Sequence, residues 1–330
     1  MRNRRPLKAL AFLGVVLVLV LMLLYSGLRI LEATVLYRPR DGGESEGGKT
    51  IVRQDTAYFP RQDITVVLVL GIDRYGPVAD SGSYNNRGAA DLVMLLIFDE
   101  TNEICSVLHL NRDTMVEMPV LGIGGREAGT GYGQLALAHT YGSGLEDSCE
   151  NTSKTVSGLL GGISIDHYIA VNMDAVAIAN DAVGGVAVYV TEDFSQVDDT
   201  IGQGMVTLKG EQAIHYVRTR KDVGDQQNLS RMERQQAYIE SFAASLREKL
   251  EKDPEFILKV CENVAPYLVT DCTADTISSM IDRYGNYTAG DVVMPEGRSV
   301  MGEEYVEFYV DDQSLDSLIL ELFYAPKTEK

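Results

Sequence analysis

The alternation of apolar and polar stretches divides the chain before any single residue matters. The first apolar run, ALAFLGVVLVLVLMLLYSGL at residues 9–28, carries no charge. At about 1.5 Å of rise per residue, a run of about 20 residues spans the hydrocarbon layer of a bilayer. Arg2, Arg4, Arg5 and Lys8 precede it, which predicts a cytoplasmic N-terminus and an outer C-terminal part. No A-x-A pattern stands near Ser26 and Gly27, so the run reads as an uncleaved anchor rather than a signal peptide. RPRDGGESEGGK, residues 38–49, is rich in Gly and charge and reads as spacer. The expected organisation is a cytoplasmic tip and span over 1–30, a stalk over 31–60, and an outer domain over 61–330 with its core at about 64–250.

Three apolar runs then follow closely: ITVVLVL (64–70), LVMLLIF (92–98) and ICSVLHL (104–110). Their length fits buried strands. DETNE, residues 99–103, separates the second from the third as a hairpin turn centred near Thr101 and Asn102. Residues equidistant from such a turn face each other, so Asp91 is expected opposite Arg112. Beyond them helix and strand alternate. Helices are predicted over 151–160, 174–182, 210–217, 256–264, 276–284 and 315–323. Strands are predicted over 165–173, 186–190 and 306–310. Ser230 and Glu233 form an S-x-x-E pattern that predicts an N-cap at Ser230. Ile239, Phe242, Ala243, Leu246 and Leu250 continue that helix as one apolar face. The pattern reads as one α/β domain on a membrane stalk.

Charge narrows the function. The formal net charge is -19, and residues 1–30 hold five basic groups and no acidic one. The rest of the chain therefore has 29 - 5 = 24 basic against 48 acidic residues, or -24. Such a domain is repelled by nucleic acid, which excludes a nucleic-acid partner. Four cysteines (Cys105, Cys149, Cys261, Cys272) form no C-x-x-C pair and the four histidines are scattered, so no zinc site is expected. Cys105 reads as a buried thiol, and Cys261 with Cys272 are near enough in sequence to pair.

Against that acidity, YVRTRKDVGDQQNLSRMERQQ at 216–236 gathers Arg218, Arg220, Lys221, Arg231 and Arg234. On extended backbone Arg218 and Arg220 would point to one side. Arg231 and Arg234 crowd a predicted helix N-terminus that is already partly positive. They make sense there either with a bound anion or paired to Asp222, Asp225 or Glu233. Asp73 follows the first strand at once and Asp91 opens the second, where ligands commonly bind in α/β folds, although turn and cap roles suit both.

In order and spacing, VLVLGID, ADLVMLL, LNRDTMVEMP, GGISIDHYIAVNMDAV, DAVGGVAVYV, LKGEQAIHYVRTR and SRMERQQ resemble the LytR-CpsA-Psr proteins of bacterial envelopes, over about residues 66–243 and the anchor. The resemblance implies an α/β/α domain with a central mixed sheet. It implies a phosphotransferase that moves a glycopolymer, of teichoic acid or capsular polysaccharide type, from undecaprenyl pyrophosphate to peptidoglycan. It puts Mg2+, with Mn2+ as a substitute, at Asp73 and Asp91. It puts pyrophosphate at Arg112, Arg218, Arg220 and Arg231, with Arg234 and Gln235 matching the positions beside the last. Two departures stand out. Ala89-Ala90-Asp91-Leu92 replaces the usual Arg-Ser-Asp-Thr, leaving Arg87, two places early, as the nearest arginine. The loop before Arg231 is longer, so Asp222 and Asp225 compete for the acidic position, with Asp225 preferred; Asp113 and Asp225 are the candidate bases. The alternatives are a polyprenyl-pyrophosphate hydrolase and a non-catalytic transcriptional attenuator of the envelope.

Overall fold

The computed structural model describes residues 50–53, 56–122, 125–224, 228–253, 256–285 and 287–326. The predicted span at 9–28 and stalk up to residue 49 lie outside them. Among the described residues no helix is long and apolar enough to cross a membrane.

In chain order the strands are β1 (Ile51–Arg53), β2 (Thr56–Pro60), β3 (Ile64–Ile72), β4 (Ala90–Asp99), β5 (Ile104–Leu110), β6 (Met115–Leu121) and β7 (Glu127–Gln134). Helix α1 (Glu146–Leu159), β8 (His167–Asn172), α2 (Met173–Ala182), β9 (Val186–Val190), β10 (Gly204–Leu208) and α3 (Glu211–Arg218) follow. Then come α4 (Asn228–Lys252), α5 (Phe256–Val264), β11 (Leu268–Thr270), α6 (Ala274–Tyr284), β12 (Thr288–Val293), β13 (Gly297–Met301), β14 (Val306–Val310), α7 (Asp312–Phe323) and β15 (Tyr324–Pro326). The central sheet has six strands in the order β11-β8-β3-β4-β5-β12. An α/β architecture around a central sheet is thus the one the pattern predicts.

The three apolar runs are β3, β4 and β5, and their side chains form the core: Val67, Leu68, Leu70, Leu95, Phe98 and Leu108 are fully buried. A run apolar on both faces suits a strand covered on both sides. The 99–103 turn closes as expected. The Asp99 carboxylate accepts from the Thr101 and Asn102 amides at 3.1 and 3.0 Å, an Asx arrangement that fixes the turn. Arg61 also bonds this end, 2.8 Å from both Asp63 and Asp99. The bonds from Arg61 and Thr101 hold the Asp63 carboxyl well below the usual range. At Asp99 burial pushes upward, but the bonds from Arg61 and Asn102 outweigh it and the net shift is down.

By compactness the described residues fall into two units. The first contains Gly71–Val78 and Ile169–Gly290; the second contains residues 50–70, Ala79–Tyr168 and residues 291–326. One predicted boundary is corrected. The long helix begins at Asn228, so Ser230 lies inside it and is not its N-cap. Cys105 is buried, and burial pushes its thiol far up. Cys105 and Cys272 stand in no disulfide, and the side chain of Cys261, the expected partner of Cys272, lies outside the described residues.

Candidate functional site

In the second unit the β4–β5 register decides the geometry. Val93 faces Leu110 and Asp99 faces Ile104, and the same register carried two residues further puts Asp91 opposite Arg112. The side chains meet: Arg112 Nη1 donates to Asp91 Oδ1 at 2.7 Å. Arg112 Nε lies 3.6 Å from Asp113 Oδ1. Asp113 is buried, its Oδ1 accepts from Gln134 Nε2 at 2.8 Å, and its carbonyl accepts from the Phe308 amide at 2.9 Å. A carboxylate so enclosed anchors the Arg112 segment and is poorly placed as a base for an incoming hydroxyl.

Arg87 stands on the loop that enters β4. It is exposed and left-handed, with φ 61°, a conformation that costs a non-glycine residue about 1–2 kcal/mol. Its neighbours hold it there. Asn86 is buried and donates through Nδ2 to the His139 and Gly142 carbonyls at 2.7 and 3.1 Å and to Ser148 Oγ at 3.0 Å. Its Oδ1 accepts from the Gly88 amide at 2.7 Å. His139 Nδ1 donates to the Gly88 carbonyl at 2.7 Å, which sets the ring tautomer. The loop is therefore a rigid mount for one outward arginine. Asn86 and Gln134 escape a sequence reading because both stand in Gly-rich stretches, SGSYNNRGAA and EAGTGYGQ, that show no apolar periodicity.

In the first unit Asp73 follows β3 directly. Arg218, the last residue of α3, grips it with a two-pronged bond, Nε to Oδ1 at 2.7 Å and Nη2 to Oδ2 at 3.0 Å. The pair is partly open, with side-chain exposures of 44% for Arg218 and 29% for Asp73. The Asp73 loop is tied down at its far end, where Asp174 Oδ2 accepts the Gly76 amide at 2.5 Å and Asn172 Nδ2 donates to the Gly76 carbonyl at 2.6 Å. The expected extended backbone at Arg218 is corrected: the residue ends a helix, and the chain turns extended only at Thr219.

A helix ending at Arg218 leaves carbonyls without intrahelical partners. Helix α4 supplies the donors. Arg234 Nε donates to the Tyr216 carbonyl at 3.0 Å, its Nη2 donates to the Thr219 carbonyl, and Gln235 Nε2 reaches the Val217 carbonyl at 3.1 Å. Arg234 Nη1 meets Glu192 Oε1 at 3.0 Å, and its guanidinium lies over the Phe194 ring, 5.6 Å from the centroid. Burial resists charge on Glu192, but the bonds from Thr191 and Arg234 outweigh it and lower its pKa, so it stays ionised. Burial pushes the Tyr216 phenol up to about 12. Arg234 is only 3% exposed. Its donors face protein carbonyls and Glu192 rather than solvent, and it caps the helix that carries Arg218.

Arg231 is 2% exposed and its Nη2 donates to Asn228 Oδ1. With the helix starting at Asn228, Arg231 is its fourth residue and stays on the first turn, whereas Arg234 falls beyond it, which corrects the first-turn placement of Arg234. Arg220 is half-buried just after α3. Asp222 is exposed and left-handed, with φ 63°. Asp225 lies outside the described residues.

The sequence matches the model of the LytR_cpsA_psr family over residues 43–320. The chain belongs to the LytR-CpsA-Psr family. Among its relatives, the polyisoprenyl-teichoic acid–peptidoglycan teichoic acid transferase TagU of Oceanobacillus iheyensis is 25% identical over 325 residues, covering 94% of this chain and 92% of the relative. TagT of Bacillus subtilis, with the same described activity, is 31% identical over 186 residues, covering 54% of this chain and 52% of TagT. A solved structure described as TagT bound to LI-WTA has the same fold, with a TM-score of 0.56 at 22% identity, covering 79% of this chain and 90% of that one.

Proposed function

We propose that this LytR-CpsA-Psr protein is a membrane-anchored phosphotransferase that moves a glycopolymer of teichoic acid or capsular type from a polyprenyl pyrophosphate to peptidoglycan. The observation that carries the reading is the two arginine–carboxylate pairs, Arg218 with Asp73 and Arg112 with Asp91, on the residues that match the family motifs. Guanidinium forks that already match carboxylates geometrically also match phosphate oxygens.

In the proposed reaction an acceptor hydroxyl oxygen attacks the glycan-bearing phosphorus. A new P–O bond forms, the bond to the bridging oxygen breaks, and the electron pair leaves on the polyprenyl phosphate as the hydroxyl proton is released. Such transfers depend mainly on positioning and charge neutralisation. Arg112, Arg218, Arg220 and Arg231 are the proposed donors, with Arg87 in place of the missing family arginine and Gln235 beside them. Arg234 acts through α3 rather than on the phosphate.

Asp73 and Asp91 offer hard oxygen donors of the type that Mg2+ takes alongside phosphate oxygens. Mg2+ is the proposed cofactor at these family positions, where it would neutralise pyrophosphate charge. The domain is proposed to stand outside the cell on the residue 9–28 span.

The test is the full chain in detergent with a polyprenyl-pyrophosphate glycan, peptidoglycan and Mg2+. Glycan joined to peptidoglycan is the expected product. Free phosphorylated glycan with no joined product would replace transfer by hydrolysis.

A further inference from the structure

The hairpin β13–β14 lies beyond the stretch that carries the family motifs, yet it is fastened to the Arg112 segment. The Phe308 amide bonds the Asp113 carbonyl, Thr114 bridges Phe308, and Gln134 Nε2 joins Asp113 Oδ1 to the Val306 carbonyl, the latter at 2.7 Å. Phe308 is buried on that side. Strand alternation then turns Tyr309 and Glu307 to the other face, where the register sets Arg298 opposite Tyr309 and Val300 opposite Glu307.

That outer face has a particular chemistry. The Tyr309 hydroxyl donates to Glu307 Oε2 at 2.6 Å, and the Arg298 guanidinium lies 5.9 Å from the Tyr309 ring centroid. Tyr132 is 65% exposed and stands on β7 two residues before Gln134, whose side chain bonds the Val306 carbonyl at the start of β14. Tyr309 thus stands beside a guanidinium and a carboxylate, with exposed Tyr132 on the strand that is bonded to its own, in direct continuity with a candidate catalytic segment.

We propose that Tyr132 and Tyr309, with Arg298 and Glu307 at their rim, bind the acceptor as an N-acetylated amino-sugar strand. The assignment rests on the transferase reading above and names the acceptor's seat. The axial C–H groups of a pyranose carry partial positive charge and suit the negative face of an aromatic ring. Arg298 and Glu307 supply the donor and acceptor that hydroxyl and acetamido groups require. Charge selects among occupants. Residues 295–311 hold Glu296, Glu303, Glu304, Glu307 and Asp311 against Arg298 alone. A phosphate-rich polymer, an anionic lipid surface or a second copy of this acidic chain is repelled there, whereas an uncharged sugar strand is not.

The experiment titrates the full chain in detergent with β-1,4-linked N-acetylglucosamine hexasaccharide by calorimetry. Saturable binding is expected in the wild type. Tyr132→Ala and Tyr309→Ala each weaken it by roughly fivefold or more, while Tyr309→Phe keeps most of it. Both tyrosines are exposed, so circular dichroism of the variants should match the wild type. Absence of binding, unchanged affinity in both alanine variants, or a concentration-dependent dimer that Tyr132→Ala abolishes would each overturn the proposal. The joined-product assay separates the two readings. Transfer without hexasaccharide binding removes the platform alone, whereas binding without transfer removes the transferase reading alone.

Discussion

At the scale of single residues, the arginines of one cluster divide into two kinds. Arg218 is open and paired with an open carboxylate. Exposed pairs contribute about 0–1 kcal/mol, so Arg218→Ala should leave the urea midpoint almost unchanged. A preorganised donor to developing charge is worth roughly 10²–10³-fold in rate, and a loss of that size is expected in the joined-product assay. Arg234→Ala should do the reverse first. It strips Glu192 of a buried partner and leaves the Tyr216 and Thr219 carbonyls unbonded. A loss on the order of 3 kcal/mol is expected in chemical unfolding. Near-wild-type stability of Arg234→Ala would refute the capping role. The four arginines look alike in sequence because composition registers charge and not which carbonyls a donor meets.

At the scale of elements, legibility followed burial. The β4–β5 register could be read because DETNE is a polar break between two apolar runs, and it alone placed Asp91 beside Arg112. By contrast β7, EAGTGYGQ, has neither alternation nor an apolar run, and most of it is exposed. It exists because β6 supplies its hydrogen-bonding partner. All of β13 is exposed, so its sequence carries no inward signal. The start of α4 was misplaced because a local S-x-x-E pattern does not report where preceding residues turn helical. The Arg61–Asp63–Asp99 network at the hairpin end sets an acid dependence. Both carboxyls are held below their ordinary values. Their stabilisation is therefore complete above about pH 4 and is lost as pH falls through the depressed values. Urea midpoints should fall from pH 5 towards pH 2, and Asp63→Asn should make that fall shallower. An unchanged slope would show that the network does not set it.

At the scale of the whole molecule, the expected topology is one span with the catalytic part outside. Fusions of an export-dependent reporter after residue 60 and after residue 330 should both be active. Cytoplasmic reporter activity at both points would return the attenuator reading to the front. The expected span rests on length and charge alone, because residues 9–28 lie outside the described residues. The division into two compact units was the hardest, because both draw on strands from distant parts of the sequence.

The grip of Arg218 on Asp73 has one more consequence. An arginine already matched to a carboxylate does not wait for an anion; it trades partners. A newcomer must replace two charge-assisted bonds, and a ligand long enough to meet more than one guanidinium at once does so with the least net loss. Chloride and simple phosphate monoesters should therefore be poor inhibitors, and inorganic pyrophosphate a distinctly better one. The internal carboxylate acts as a threshold that keeps common anions out of a site built from permanently charged groups.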